Sequence, residues 1–296
     1  MDTYQLEAYA KINLTLDVLY KRKDGFHEVK MIMQAIDLAD TVRLTCQDAS
    51  DGIALTTDTA SDQANDAVPM DSTNLACRAA VLLAETCRLR QGVHIHLYKR
   101  IPVAAGMAGG SANAAAVLLG LNRLWRLNLS LNRLAELGAT LGSDVPFCLY
   151  GGTMLATGRG ELLQPLPDAP VLHLVLAKLP VAVSTASVYQ RYRPDAALHH
   201  PDTDGMLEAI RSSDAAGIAR RLGNVLETVT LMDHPDIGRL KSAMIRHGAI
   251  NSLMSGSGPT VFGVAADQSQ AESIAEAIKK EFQAQVYVTS TIAGRR

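Results

Sequence analysis

The chain has 296 residues, 48% hydrophobic and 20% charged, with a formal net charge of −2 at pH 7. That near-neutral balance offers no basic field for nucleic acid or an anionic membrane, so neither is an expected partner. No apolar run approaches the roughly 20 residues that span a bilayer, and MDTYQLEAYAKINL lacks a basic region followed by a long apolar run, so a cytoplasmic protein without a signal peptide is expected.

Leu6, Ala8, Ala10, Ile12, Leu14, Leu16 and Val18 alternate with Tyr9, Lys11, Asn13, Thr15 and Asp17. Period two predicts one strand, or two in succession, with a single buried face. Lys11 and Asn13 then project from the same side, which is either a solvated face or a functional one. Asp24-Gly25 marks a turn, and MIMQAIDLADTVRLTC returns as strand. Residues 47–73 are polar and turn-rich, which predicts surface loop around short strands. A helix is predicted from Ser72-Thr73-Asn74 to about Arg90, burying Leu75, Ala79, Leu82 and Leu83, and GVHIHLYKRIP reads as a strand ending at Pro102.

Beyond the glycines that follow, Ala114, Val117, Leu118, Leu121, Leu124 and Trp125 step by three and four, predicting a helix from near Ser111. A second follows Ser130 with Leu131, Leu134, Leu137 and Leu141. GSDVPFCLYGGTMLATGRGE predicts a polar turn, a short helical piece, a Gly-Gly step and a strand. Prolines concentrate in GELLQPLPDAP, which predicts a domain boundary near residue 160. The second half begins with the strand VLHLVLA and a helix capped by Ser184 or Thr185. Helices around 203–213, 214–229 and 235–247 are predicted next, then strand, glycine turn and strand in NSLMSGSGPTVFGVA. Ser269 and Glu272 make a capping box for a helix through Phe282, and QVYVTSTI is the last strand. His199-His200 falls in a polar stretch that reads as exposed loop. Cys46, Cys77, Cys87 and Cys148 form no C-x-x-C pair and read as reduced thiols. The eight histidines show no metal-ligand spacing, so no metal cage of protein ligands is expected.

The segment Pro102-Val103-Ala104-Ala105-Gly106-Met107-Ala108-Gly109-Gly110-Ser111-Ala112 joins a strand to a helix N-terminus. Backbone N–H groups and the positive end of a helix dipole then surround one concavity, which suits phosphate. The alternative is a turn that only lets the helix pack closely on the sheet. The segment has neither the lysine of a Walker loop nor the spacing of a dinucleotide fingerprint, so an assisting cation must come from elsewhere. Asp144 stands in Asp-x-Pro, which serves either as a helix cap or as acid–base chemistry.

Three segments together resemble the GHMP kinase superfamily (galactokinase, homoserine kinase, mevalonate kinase and relatives): AYAKINLTLDV, the 102–112 loop and SGSGPTVFGV. The loop departs from the family pattern with Met107 for the usual leucine and Ala108 for a usual glycine. The joint occurrence of AKINLTLDV, KRKDGFHEVKMIMQAIDLADTV, DSTNL and LGSDVPFCLYGGTMLATGRGE is similar to the branch that phosphorylates cytidine diphospho-methylerythritol in non-mevalonate isoprenoid synthesis. The likeness runs from about residue 8 to 190 and resumes at 250–264.

The resemblance implies ATP as co-substrate with Mg²⁺, and a small cytidyl-carrying alcohol as acceptor. It implies Asp144 as the group accepting the hydroxyl proton, with Lys11 orienting that hydroxyl and offsetting negative charge; the missing cation then comes from the first strand. It places ATP against Asn74, Lys99 and the residues Pro102 to Ala112. It places the substrate against Asn13, Phe26 and His27, the aromatic stacking on cytosine and the histidine meeting its edge, with Tyr189 as a second aromatic. Gly256-Ser257-Gly258 would shape the site floor. The implied fold class is α+β: an ATP-binding N-terminal domain over 1–160, a C-terminal domain over 161–296 and an active site in the cleft between them. A monomer or weak homodimer is expected.

Overall fold

The computed structural model describes residues 2–59, 68–194 and 199–294. Strands β1 (Thr3–Lys21) and β2 (His27–Gln47) form a long antiparallel hairpin closed by the turn at Asp24-Gly25. There follow β3 (Ile53–Thr59), α1 (Leu75–Thr86), β4 (Gly92–Lys99), α2 (Gly109–Leu124), α3 (Leu131–Leu141), α4 (Val145–Tyr150), β5 (Thr153–Thr157) and β6 (Leu162–Pro165). The second half comprises β7 (His173–Lys178), α5 (Thr185–Arg191), α6 (Thr203–Arg211), α7 (Ala215–Arg220), β8 (Gly223–Asn224), α8 (Glu227–Asp233) and α9 (Pro235–Arg246). It ends with β9 (Asn251–Met254), β10 (Thr260–Ala265), α10 (Gln268–Glu281) and β11 (Gln285–Ser290).

Among the described residues there are two sheets. One runs β3-β4-β2-β1-β8, with β5 pairing the early part of β2 and β6 pairing β5; the other runs β11-β7-β10-β9. The alternation of Val42, Leu44, Val93, Ile95 and Leu97 buries one face of the first sheet beneath α1, α2 and α3. Ile12, Leu14, Ile32 and Ile36 join Leu174, Leu176 and Phe262 in a core that fuses the two sheets. A third core, including Ile237, Leu240, Ile274 and Ile278, packs α9 and α10 on the second sheet. Burial of apolar surface contributes about 25 cal/mol per Å², so this shared core stabilises the contact between the two sheets.

Three expectations need correction. β1 is one strand, and between Ala10 and Val18 both of its faces are buried. Its polar face is covered by the loop after β4 and the turn after β9, which only chain topology brings there. A register shift between Tyr9 and Lys11 releases the Lys11 N–H to donate to the Met107 carbonyl at 3.2 Å. The helix expected over 214–229 is broken into α7, β8 and α8, because Gly223-Asn224 adds as a parallel partner to Thr15-Leu16. Finally, α10 is capped by Asp267, whose carboxylate accepts from the Gln270 N–H at 2.8 Å, and not by Ser269.

Candidate active site

The loop between β4 and α2 is held at its start by a buried carboxylate. Asp40, on β2, accepts from the backbone N–H groups of Arg100 and Ile101 at 2.7 and 2.8 Å through Oδ1. Its Oδ2 accepts from Lys99 Nζ and, at 2.8 Å, from Asn113 Nδ2 on α2. Lys99 also donates to Asn113 Oδ1 at 3.0 Å. All three side chains are buried, and each ionic group has its partners, as buried charge requires. The strand end, the loop and the first turns of α2 are thereby tied together.

Further along, the backbone enters the left-handed region at Ala104, Gly106 and Ala108. This explains physically why glycine is usual where this chain has Ala108: an L side chain is strained there, by about 1–2 kcal/mol. Gly106 is more constrained. A Cβ on it would overlap the Ser255 carbonyl oxygen, so no side chain fits between the loop and the turn after β9. The Gly106 carbonyl accepts from Lys11 Nζ at 3.1 Å and from Ser255 Oγ at 3.0 Å. That turn is itself held by Asn224 Nδ2, which donates to the carbonyls of Met254 and Gly256 at 2.8 and 2.7 Å.

Lys11 Nζ donates to Asn13 Oδ1 at 2.8 Å and lies 4.0 Å from Asp144 Oδ2. Lys11 is only 4% exposed, whereas the Asp144 side chain is 32% exposed. Asp144 occupies the N-cap position of α4, yet its carboxylate makes no capping hydrogen bond. Of the two uses open to Asp-x-Pro, the structure leaves this carboxylate aimed at the ammonium.

Beyond this pair lies the hairpin tip. Phe26 is 52% exposed, and the His27 ring centroid is 5.6 Å from that of Tyr189, tilted by 41°. Burial, and then the negative charge of Asp144, push the Tyr189 phenol above its ordinary range, so it stays protonated. His27 is pushed the other way, by burial and then by the Lys21 ammonium, which favours the neutral ring.

Glycine loop, ion pair and hairpin tip line one cavity of about 1120 Å³. That exceeds the roughly 300–1,000 Å³ of an ordinary single-ligand pocket and suits two ligands placed end to end. Lys11, Asn13, Phe26, His27, Asn74, Lys99, Pro102, Val103, Ala104, Ala105, Gly106, Ala108, Gly109, Gly110, Ser111, Asp144 and Tyr189 all reach it. Met107 and Ala112 do not: the side chains of both pack into apolar cores. Asn74 caps α1, its Oδ1 accepting from Ala76 N–H at 2.9 Å and its Nδ2 donating to the Pro69 carbonyl at 2.7 Å. Asp40, Asn113, Ser255 and Arg159 escaped the motif reading. The available signals were an aspartate and an asparagine within stretches that otherwise bury their side chains.

The N-terminal domain of the GHMP kinases matches residues 74–152, and their C-terminal domain matches residues 206–284. The chain belongs to the GHMP kinase family. It is 54% identical over 269 residues to the 4-diphosphocytidyl-2-C-methyl-D-erythritol kinase of Geobacillus kaustophilus (strain HTA426), covering 91% of this chain and 90% of that one. To the kinase of the same name from Bacillus subtilis (strain 168) it is 50% identical over 286 residues, covering 97% and 96%. A crystal structure of 4-(cytidine 5'-diphospho)-2C-methyl-D-erythritol kinase superposes with a TM-score of 0.83 at 32% identity, over 98% of this chain and 100% of the other. Homoserine kinase from Cytophaga hutchinsonii, at 22% identity and a TM-score of 0.77, shares the fold. The family resemblance and the α+β class expected from the motifs both hold. Among the described residues, no helix is long and apolar enough to cross a membrane.

Proposed function

We propose that this GHMP kinase transfers the γ-phosphoryl group of ATP to the 2-hydroxyl of 4-diphosphocytidyl-2-C-methyl-D-erythritol, with Asp144 as the base and Lys11 as the charge-stabilising cation. The observation that carries the assignment is the 4.0 Å separation of these two groups beside the glycine loop. A hydroxyl oxygen lodged between them lies within reach of both. As it forms its bond to phosphorus, Asp144 takes its proton. Lys11, held by Asn13 and the Gly106 carbonyl, offsets charge on the transferring group as the bond to the ADP oxygen breaks.

In this assignment the phosphates rest on the N–H groups of Gly109, Gly110 and Ser111 at the positive end of α2. Asn74 and the loop wall from Pro102 to Ala108 flank the nucleotide. The Lys99 ammonium, already paired with Asp40, adds a fixed positive field under the first turn of α2. The substrate's cytosine occupies the other end against Phe26, His27 and Tyr189, and Asn13 reaches its polyol. The division into 1–160 and 161–296 puts the cavity at the seam.

Among the described residues no group of three or more His, Cys, Asp or Glu could cage a metal ion. Of the cavity's oxygen donors, the Ser111 hydroxyl at the start of α2 would suit an ion carried mainly by ATP phosphates and water, as Mg²⁺ prefers. When bound, Mg²⁺ neutralises the phosphates; the chain's own residues bind, orient and deprotonate. The deciding experiment incubates the protein with Mg-ATP and a panel of alcohols, including homoserine, mevalonate and the cytidyl substrate, and follows ADP release. Release confined to the cytidyl substrate is expected; release with another alcohol alone would overturn the assignment.

A further inference from the structure

The turn between β5 and β6 is bound to the start of β2. The Gly158 N–H donates to Glu28 Oε1 at 2.9 Å, and the Val29 N–H donates to the Gly158 carbonyl at 2.9 Å. Glu28 also accepts from Arg22 Nη1 at 2.6 Å, which ties both sides of the hairpin tip. This docking sets the Arg159 guanidinium 4.9 Å from the centre of the Phe26 ring. Glu161 restrains it from behind, at 3.5 Å between Nε and Oε1. Phe26 nevertheless remains 52% exposed, and both it and Arg159 line the cavity.

We infer that Arg159 is a positioning residue for substrate: its guanidinium holds the Phe26 ring at one cavity end so that a pyrimidine stacks on the ring's open face. Because this role assumes the cytidyl substrate proposed above, its failure and that of the substrate assignment must be separable. Cation and base then share one ring, and loss of the cation weakens binding of the base without touching the phosphoryl transfer 159 takes no part in. A guanidinium suits the task better than an ammonium, since its plane lies flat on an aromatic face and is weakly hydrated. The contact is partly exposed, the Arg159 side chain being 31% accessible, so the effect is modest.

The test is a double-mutant cycle on the full chain. CDP, as the probe, is titrated by calorimetry into wild type, Arg159→Met, Arg159→Lys, Phe26→Leu and the Phe26→Leu/Arg159→Met double variant, and steady-state constants are measured on the same proteins. Arg159→Met is expected to weaken CDP and raise KM for the cytidyl substrate about two- to fivefold, the range a partly exposed cation–π contact supports. KM for ATP and turnover at saturation stay put, Arg159→Lys recovers part of the loss, and the methionine change costs nothing further in the Phe26→Leu background. Unchanged CDP affinity in Arg159→Met would overturn the inference. So would an equal loss in both backgrounds, which would mean direct contact with the nucleotide. A wild type that neither binds CDP nor turns over the cytidyl substrate would instead sink the substrate assignment, and this inference with it.

Discussion

Replacing Gly106 by alanine tests the geometry on which the site rests. Gly106 has φ of +73°, and its Cβ would overlap the Ser255 carbonyl oxygen while lying 3.1 Å from the Gly258 carbonyl oxygen. The obstacles are backbone atoms, so no side-chain rotation relieves them; loop and turn must separate by roughly 1 Å to restore ordinary contact. The left-handed conformation costs about 1–2 kcal/mol for a residue with a Cβ, of which about 0.4–1 is returned by a stiffer unfolded chain. Weakening the two hydrogen bonds accepted by the Gly106 carbonyl, one from an ammonium, adds on the order of 2 kcal/mol. The sum is a loss of about 2–4 kcal/mol, seen as a fall in Tm of roughly 5–10 °C. Because Lys11 is displaced with that carbonyl, kcat should fall about 100-fold, the usual cost of misplacing a catalytic group by an ångström. Calorimetry and a coupled ADP assay read the two quantities. Gly110→Ala is the control: its Cβ meets nothing closer than Leu75 Cδ1 at 3.6 Å, so stability holds while KM for ATP rises. An unchanged Tm and kcat in Gly106→Ala would refute the account of how the loop is held.

Lys11→Ala and Asp144→Asn are each expected to fold and to lose at least ~100-fold in kcat, read by ADP release and circular dichroism; near-normal turnover in either removes its assigned role. Phe26→Ala should raise KM for the cytidyl substrate by about 10-fold or more with KM for ATP unchanged, the scale of one lost base–aromatic stack; equal effects on both constants contradict the stacking. Asp40→Asn leaves the buried Lys99 ammonium uncompensated and should cost about 3–5 kcal/mol in urea unfolding, with Lys99→Met restoring much of it in the double variant. Additive losses would show that the two side chains do not act as a pair. His27 has its pKa lowered from the ordinary 6.5, so below that pH the folded protein binds fewer protons than the unfolded chain. Its contribution to stability is therefore complete above pH 6.5 and fades as pH falls through the lowered value. Proton NMR of the ring checks this, and Lys21→Met should move the titration upward; a downward or absent shift would remove Lys21 as a cause.

The periodic elements were legible because their signal is local. Alternation in β1, the three-and-four stepping of α2, and Ser130 and Ser184 at the starts of α3 and α5 depend only on neighbours a few residues away. The 214–229 segment misled for the complementary reason: its helical character is interrupted by a pairing to Thr15-Leu16, some 200 residues earlier, which no local pattern encodes. The motifs mark the glycine loop, Lys11 and Asp144 as candidates, but do not say which loop side chains turn toward the cavity. Those of Met107 and Ala112 pack into the cores, a partition set by what lies behind the loop.

From the sequence alone came the family and the α+β class, through the resemblance its motifs carry, together with candidate residues for phosphoryl transfer, because short motifs and local periodicity are written in residue type and spacing. Only the tertiary structure decided which of those groups meet: that Lys11 and Asp144 come within 4.0 Å, that Asp40 clamps the loop start, and that Arg159 covers Phe26. Such contacts join segments tens to more than a hundred residues apart, and they exist because burying the shared core of two sheets forces those segments together.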